Sequence, residues 1–165
     1  MRAHQLLVDL KNFVESSLAD FALPNPATGQ PEMGRARCFL GNVPDDDQTA
    51  LPERFPFVVI RWVEGEDAED GDALEEAALI FGVYSPAGAD EAELLTAALL
   101  DHMRRALMAL RILGNVFDLI LPLKSAKPDP EKRQHNYHMA TIITRWRHLT
   151  PRRPLNQGDF DDGQY

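Results

Sequence analysis

The chain has 165 residues, one cysteine, 26 acidic and 17 basic side chains, and a formal net charge of −9. That length suits a single domain whose core needs no disulfide or metal staple, and one thiol excludes an internal bridge. The negative balance excludes attraction to phosphate backbones through bulk charge, and a content of 44% hydrophobic and 26% charged residues excludes wholesale disorder.

The N-terminus lacks the apolar core of a signal peptide. No apolar run approaches the ~20 residues that a membrane helix needs. A soluble chain, made where it is used, is the expectation. Charge is unevenly spread: residues 1–123 carry 9 basic and 21 acidic side chains, residues 124–165 carry 8 and 5. Opposite charges at opposite ends suit self-association.

In chain order, Leu6, Leu7, Leu10, Phe13, Val14, Ser17, Leu18 and Phe21 recur at three- and four-residue steps and predict a first helix. Pro24 and Pro26 are expected to end it. Residues 24–34 read as a loop and 35–41 as a short strand, and the single thiol, Cys38, stands in an apolar stretch that predicts a buried, inert group. After an irregular, Asp- and Pro-rich stretch, residues 56–63 predict a strand that is apolar on both faces, with Val58, Ile60 and Trp62 on one and Phe57, Val59 and Val63 on the other.

Residues 64–76 hold eight carboxylates, Glu64, Glu66, Asp67, Glu69, Asp70, Asp72, Glu75 and Glu76, and no basic residue. Like charges at this density predict an extended, solvated loop. A second strand apolar on both faces is expected at 77–84. Asp90, with Glu93 three residues on, predicts a capped start for a second helix. Its buried stripe is expected at Leu95, Leu99, Ala106, Leu110 and Leu113. Arg104, Arg105 and Arg111 sit late in it, where cations suit the dipole, and Gly114 is expected to stop it. Strand 116–123 places Phe117, Leu119, Leu121 and Leu123 on one face. Residues 124–136 read as a polar loop. A last strand, 137–149, shows Ala140, Ile142, Thr144 and Trp146 on one face.

The predicted fold is α+β, in the order α-β-β-β-α-β-β: two helices packed on a mainly antiparallel sheet of four to five strands. Residues 1–149 form the one domain. Residues 150–165 read as a mobile C-terminal tail, with Phe160 and Tyr165 as anchors for a partner.

No catalytic pattern emerges. Asp101 and His102 are neighbours in a helix and point about 100° apart. There is no glycine-rich phosphate loop and no nucleophile elbow. His135 and His138 are a close pair without a third ligand at defensible spacing, and the acidic stretch lacks the alternation of a calcium loop. The expectation is a non-enzyme with no metal and no cofactor. Basic residues cluster late, with Arg145 and Arg147 sharing a strand face, which fits protein contact better than DNA binding.

Four segments in order carry a resemblance: FPFVVIRWVEGED from Phe55, AALIFGVYS before the second helix, LGNVFDLILPLKSAKPDPE, and the closing ITRW. Over residues 55–147 the chain resembles phage tail-terminator proteins. It departs from their pattern before the last strand, where Arg133-Gln134-His135-Asn136-Tyr137-His138 replaces an aromatic- and proline-rich stretch.

The resemblance implies a virion protein: a hexameric ring at the head-proximal end of the tail tube, assembled in the bacterial cytoplasm. Its partners are copies of itself, the tail tube protein and a head-completion or connector protein, with DNA passing through unbound and no membrane involved. Phe57, Arg61, Trp62, Arg145 and Trp146, large or Arg side chains on strands with surplus apolar surface, are the candidate contacts. The acidic residues Glu64, Glu66, Asp67, Glu69, Asp70 and Asp72 are candidates to line the channel. Two other readings remain: a different head–tail connector, and a regulatory domain that binds a small molecule in a closed pocket.

Overall fold

The apolar spacing at the start of the chain becomes α1 (Arg2–Ser17), which buries Leu6, Leu10 and Val14. These positions are four apart and lie one above another on the helix face. A computed structural model describes residues 2–25, 33–43, 54–67, 72–127 and 136–148. The helix stops well before the prolines expected to end it. The backbone tightens first, with the Ala19 N–H bonded to the Ser16 carbonyl at 3.4 Å. The Ser17 carbonyl is then taken by His102 Nε2 at 2.7 Å. Pro24 instead belongs to β1 (Leu23–Pro24), which pairs with β2 (Met33–Gly34) in a separate two-stranded sheet.

The main sheet has six strands where the sequence predicts four to five, and the fold is α+β as expected. They are β3 (Arg37–Leu40), β4 (Phe57–Asp67), β5 (Ala73–Tyr84), β6 (Ile112–Leu113), β7 (Phe117–Ala126) and β8 (Tyr137–His148), in the spatial order β3-β4-β5-β8-β7-β6. Every pairing is antiparallel except β3 with β4. The two-residue β6 has no sequence period to announce it.

The second helix, α2 (Ala89–Leu110), starts after Gly88, whose φ of 121° only glycine adopts readily. The predicted Asp90 cap is absent. Asp90 lies inside the first turn, and Ser85 Oγ instead donates to Glu91 Oε2 at 2.9 Å while accepting the Ala87 N–H at 3.2 Å. The buried stripe is also rotated from the expected one, to Ala92, Thr96, Leu99, Leu100, Met103 and Leu107. Thr96 can sit inside because its hydroxyl donates to the Ala92 carbonyl at 2.7 Å. The helix ends at Leu110, ahead of Gly114, because Arg111 already takes a left-handed φ of 55°.

Both helices lie on one face of the main sheet. α1 packs on β3 and β4 and reaches β6, and α2 packs on β5, β8 and β7. Strand alternation sends Val58, Ile60, Leu79, Phe81, Ile142 and Trp146 into this helix-covered core. Trp146 is fully buried. Its Nε1–H donates to Thr144 Oγ1 at 2.9 Å, and that hydroxyl donates to the Ala77 carbonyl at 3.0 Å. The pair joins β5 to β8 and satisfies both its indole and its hydroxyl donor.

The acidic stretch is not the loop that charge repulsion predicts. β4 and β5 extend into it from either side, to Asp67 and from Ala73, with Glu64 opposite Glu76, Gly65 opposite Glu75, Glu66 opposite Leu74 and Asp67 opposite Ala73. Ladder hydrogen bonds and nearby cations outweigh the repulsion. Similarly, β7 runs to Ala126, into the predicted polar loop, and its register shifts between Ile120 and Lys124. That shift breaks the expected single face, so Phe117 and Leu119 are buried while Leu121 is exposed. The predicted tail at 150–165 lies outside the described residues.

Truncating Trp146 to Ala should cost about 3–5 kcal/mol, the usual loss for a buried large aromatic. Urea unfolding followed by circular dichroism measures it, and a loss of less than about 1 kcal/mol would contradict a load on this residue.

Candidate functional site

The helix-free face of the main sheet is the surface to account for. Alternation places Phe57, Val59 and Arg61 of β4 there, with Ala78, Ile80 and Gly82 of β5 and Thr141, Ile143 and Arg145 of β8. At one end the chain covers this face itself. Phe55, Phe57 and Val59 form a second buried cluster, with Phe39, Val43, Ile80, Tyr84 and Tyr137 packed on it. Ring centroids lie 4.9 Å apart for Phe55–Phe57 and 4.7 Å for Phe55–Tyr137, spacings at which tilted aromatic pairs attract. Burial, and then the neighbouring Tyr84, push the Tyr137 phenol above its usual range. Gly82 permits this cluster, since a Cβ there would overlap the Phe57 ring.

The opposite end of the sheet carries the charge. Asp67 pairs with Arg2 at 3.3 Å, Glu76 with Arg145 at 3.7 Å and Asp72 with Arg147 at 3.9 Å. Glu64 and Glu66 are exposed on β4. All three ion pairs are at the surface, so each contributes little, at most about 1 kcal/mol. Together they place three cations beside the carboxylates of β4, of β5 and of Asp72. Glu69 and Asp70 lie outside the described residues.

The five candidate contacts separate. Arg61 and Arg145 are exposed on the helix-free face. Arg61 is anchored, its Nε donating to the Gly41 carbonyl at 3.0 Å and an Nη to Asn42 Oδ1 at 2.5 Å. Trp62, 46% exposed, lies on the other face, where its Nε1–H donates to Glu75 Oε2 at 2.8 Å. Phe57 and Trp146 are corrected: both are buried within the chain, Phe57 under Phe55 and Trp146 in the helix-covered core, so neither presents a surface. Arg61, Trp62 and Arg145 remain as surface groups around the acidic arm.

Trp62 also lines an open cleft of about 390 Å³ with Arg2, Gly65, Glu66, Asp67 and Glu75. Its wall is an indole surrounded by carboxylates, a surface that favours cationic side chains. Glu75, which fixes the indole, was not singled out by the sequence; its register opposite Gly65 brings it beside Trp62.

Cys38 is not poised to react. Burial, reinforced by Glu15 and opposed by Lys11, pushes its thiol up to about 11 from 9.0. Among the described residues no group of three His, Cys, Asp or Glu is arranged to hold a metal ion, and no helix is long and apolar enough to cross a membrane. No protein-family profile matches the chain, and no curated protein sequence matches it either.

Two outcomes follow. At pH 7.5 the Cys38 thiolate fraction, and with it the alkylation rate by iodoacetamide, should be about 100-fold below that of an ordinary thiol, rising about tenfold per pH unit up to its pKa. Glu64 faces Glu76 across the strand pair, so Glu64→Lys should stabilise the protein by about 0.2–1 kcal/mol at low salt, with the gain shrinking as salt rises. Thermal unfolding at two ionic strengths measures the second.

Proposed function

We propose that this chain is a tail terminator of a long-tailed phage or a related element, a non-catalytic ring subunit that ends tail-tube growth and joins tail to head. The observation that carries the reading is where the four resembling segments fall. FPFVVIRWVEGED supplies β4, AALIFGVYS the last two thirds of β5, LGNVFDLILPLKSA the last residue of β6 and all of β7, and ITRW lies in β8. Segments scattered along the sequence thus become adjacent strands of one sheet, β4-β5-β8-β7-β6. The segments that carry the resemblance thus lie in one structural unit of this chain.

The surface agrees with an assembling part. Among the described residues, the helix-free face is covered at its aromatic end, although Met139, opposite Gly82, stays exposed; beyond that end Ile143 is half-buried and Val63 of β4 is exposed. The acidic β4–β5 arm extends from the same sheet. In a ring, arms pointing into the lumen would repel phosphate over about one Debye length, ~8 Å at physiological salt, and let DNA pass without being held. A ring needs only a head-to-tail contact that closes on rotation, and hexamer is the number the resemblance implies. A different neck protein would share these features. A small-molecule regulatory role is less favoured, because the cleft at Trp62 is open and lined by charge, not an enclosed apolar pocket.

The decisive test adds the purified protein to growing tail tubes. Capped tubes of fixed length, with one ring per end, are expected; uncapped growth, or a single copy on each end, contradicts the reading. Neutralising Glu64, Glu66 and Asp67 to Gln or Asn should leave assembly intact and slow DNA exit, more at low salt than at high. Failure of assembly by a folded variant would make the arm a docking element and not a channel lining.

A further inference from the structure

The two edges of the main sheet are stepped, and the steps are complementary. On one side β3 covers only Phe57–Ile60 of β4, leaving Arg61–Asp67 without a strand neighbour on that side among the described residues. On the other side β6 covers only Phe117–Asp118 of β7, and the Leu119 N–H bonds to the Arg111 carbonyl at 2.7 Å. Residues Ile120–Ala126 of β7 have no outer neighbour among the described residues. The registers show that these open stretches lie at opposite ends of the sheet. One row runs Leu40–Ile60–Leu79–Ile142–Ser125, from the covered end of β4 to the open end of β7. Another runs Glu66–Leu74–Arg147–Asp118–Ile112, from the open end of β4 to the covered end of β7.

Resting on the ring reading above, we infer that copies of this chain join side by side by a lap joint of their sheets. β3 of one copy enters the step beside β7 of its neighbour, where Leu40 and Phe39 meet Ser125 and Ala126, and the neighbour's β6 enters the step beside β4, where Ile112 and Leu113 meet Glu66 and Asp67. The strand directions allow it: β3 then runs antiparallel to β7, and β6 parallel to β4. An unstaggered joint sets Leu40 beside the neighbour's Ser125 and Glu66 beside its Ile112.

Two independent features fit this occupant. Nine large hydrophobic residues are exposed among the described residues, and five of them stand on these edges: Leu40, Trp62, Val63, Ile112 and Leu121. Charge is also divided. The open part of β4 carries Glu64, Glu66 and Asp67 against one cation, Arg61, which is held by Gly41 and Asn42 of its own chain, whereas the other edge carries Arg111 and Lys124 against one carboxylate, Asp118. Arg111, at the level of Gly65, would stand between the neighbour's Glu64 and Glu66. Two β4 edges would set carboxylates against carboxylates, so the charges oppose two-fold pairing and favour head-to-tail contact. The β7 edge also carries Pro122 and a register shift, features that deter addition of an arbitrary strand and narrow the edge to a matched partner.

The test uses single-cysteine variants of the full chain in a Cys38→Ala background, at four exposed positions. Glu66→Cys is mixed with Ile112→Cys, and Leu40→Cys with Ser125→Cys, under mild oxidation with tail tubes present. Both mixtures should give disulfide-linked dimers at least about tenfold above either variant alone, since only the mixed pair reaches bridging geometry. Homotypic dimers in equal yield overturn the joint. Rings that form and cap tubes without these cross-links also overturn it, while the ring reading stands. Cross-links in a protein that never caps tubes leave the joint standing and remove the tail-terminator reading. Monomers throughout, uncross-linked even on tubes, overturn both.

Discussion

A six-stranded sheet has two faces, and the two helices among the described residues both lie on the same one. Period-2 alternation sends every second strand side chain to the face that no helix covers. Much of the molecule follows from that imbalance. Val58 and Ile60 go into the helix-covered core, while Phe57 and Val59, one residue away in each case, must be buried by other means. The chain meets the need at one end with the rings of Phe55, Tyr84 and Tyr137, and Gly82 supplies the missing Cβ that lets Phe57 lie flat across β5. At the other end it uses charge. Arg145 and Arg147 rise from the same face of β8 and meet Glu76 and Asp72 of the β5 side.

The acidic hairpin shows why local charge is a poor guide to backbone structure when neighbours are distant in sequence. Between Glu64 and Glu76 there is no basic residue, and a local reading gives repulsion alone. The sheet brings Arg145 and Arg147 alongside from 70 or so residues away, and α1 brings Arg2. None of these pairs is strong by itself. Each offsets part of the repulsion, and the arm stays net negative while the ladder pairing runs to Asp67.

The parts legible from sequence were those with a period and a burial. The closing strand is the clearest: Ala140, Ile142, Thr144 and Trp146 alternate as a buried face and are all in the core. Trp146, expected to be a contact, is in phase with that buried face and so cannot also face a partner. α2 was harder to phase. It holds Leu94, Leu95, Leu99, Leu100, Leu107 and Leu110, too many apolar residues for one stripe, and its true stripe includes Thr96, whose polarity is hidden by its own helix. The parallel pairing of β3 and the two-residue β6 have no periodic signal, since each is defined by a partner strand and not by its own residues. Arg61 and Trp62 were legible as large groups on an important strand, but the groups that hold them, Asn42 and Glu75, are set by register.

Those same unannounced strands determine how the sheet ends, and so what can be added to it. Without β3 and β6 both edges would be straight, and any copy could pair with any other, including its own kind. A four-residue strand at one corner and a two-residue strand at the diagonal corner make each edge fit the opposite edge and not itself. The acidic and basic side chains repeat that distinction in charge. Shape and charge then specify the same relation, a head-to-tail one, and a head-to-tail relation is the kind that either closes into a ring or grows without limit. Which of the two occurs depends on the angle between joined copies, and the twist of the sheet, fixed in hand by the chirality of its residues, sets part of that angle before any partner arrives.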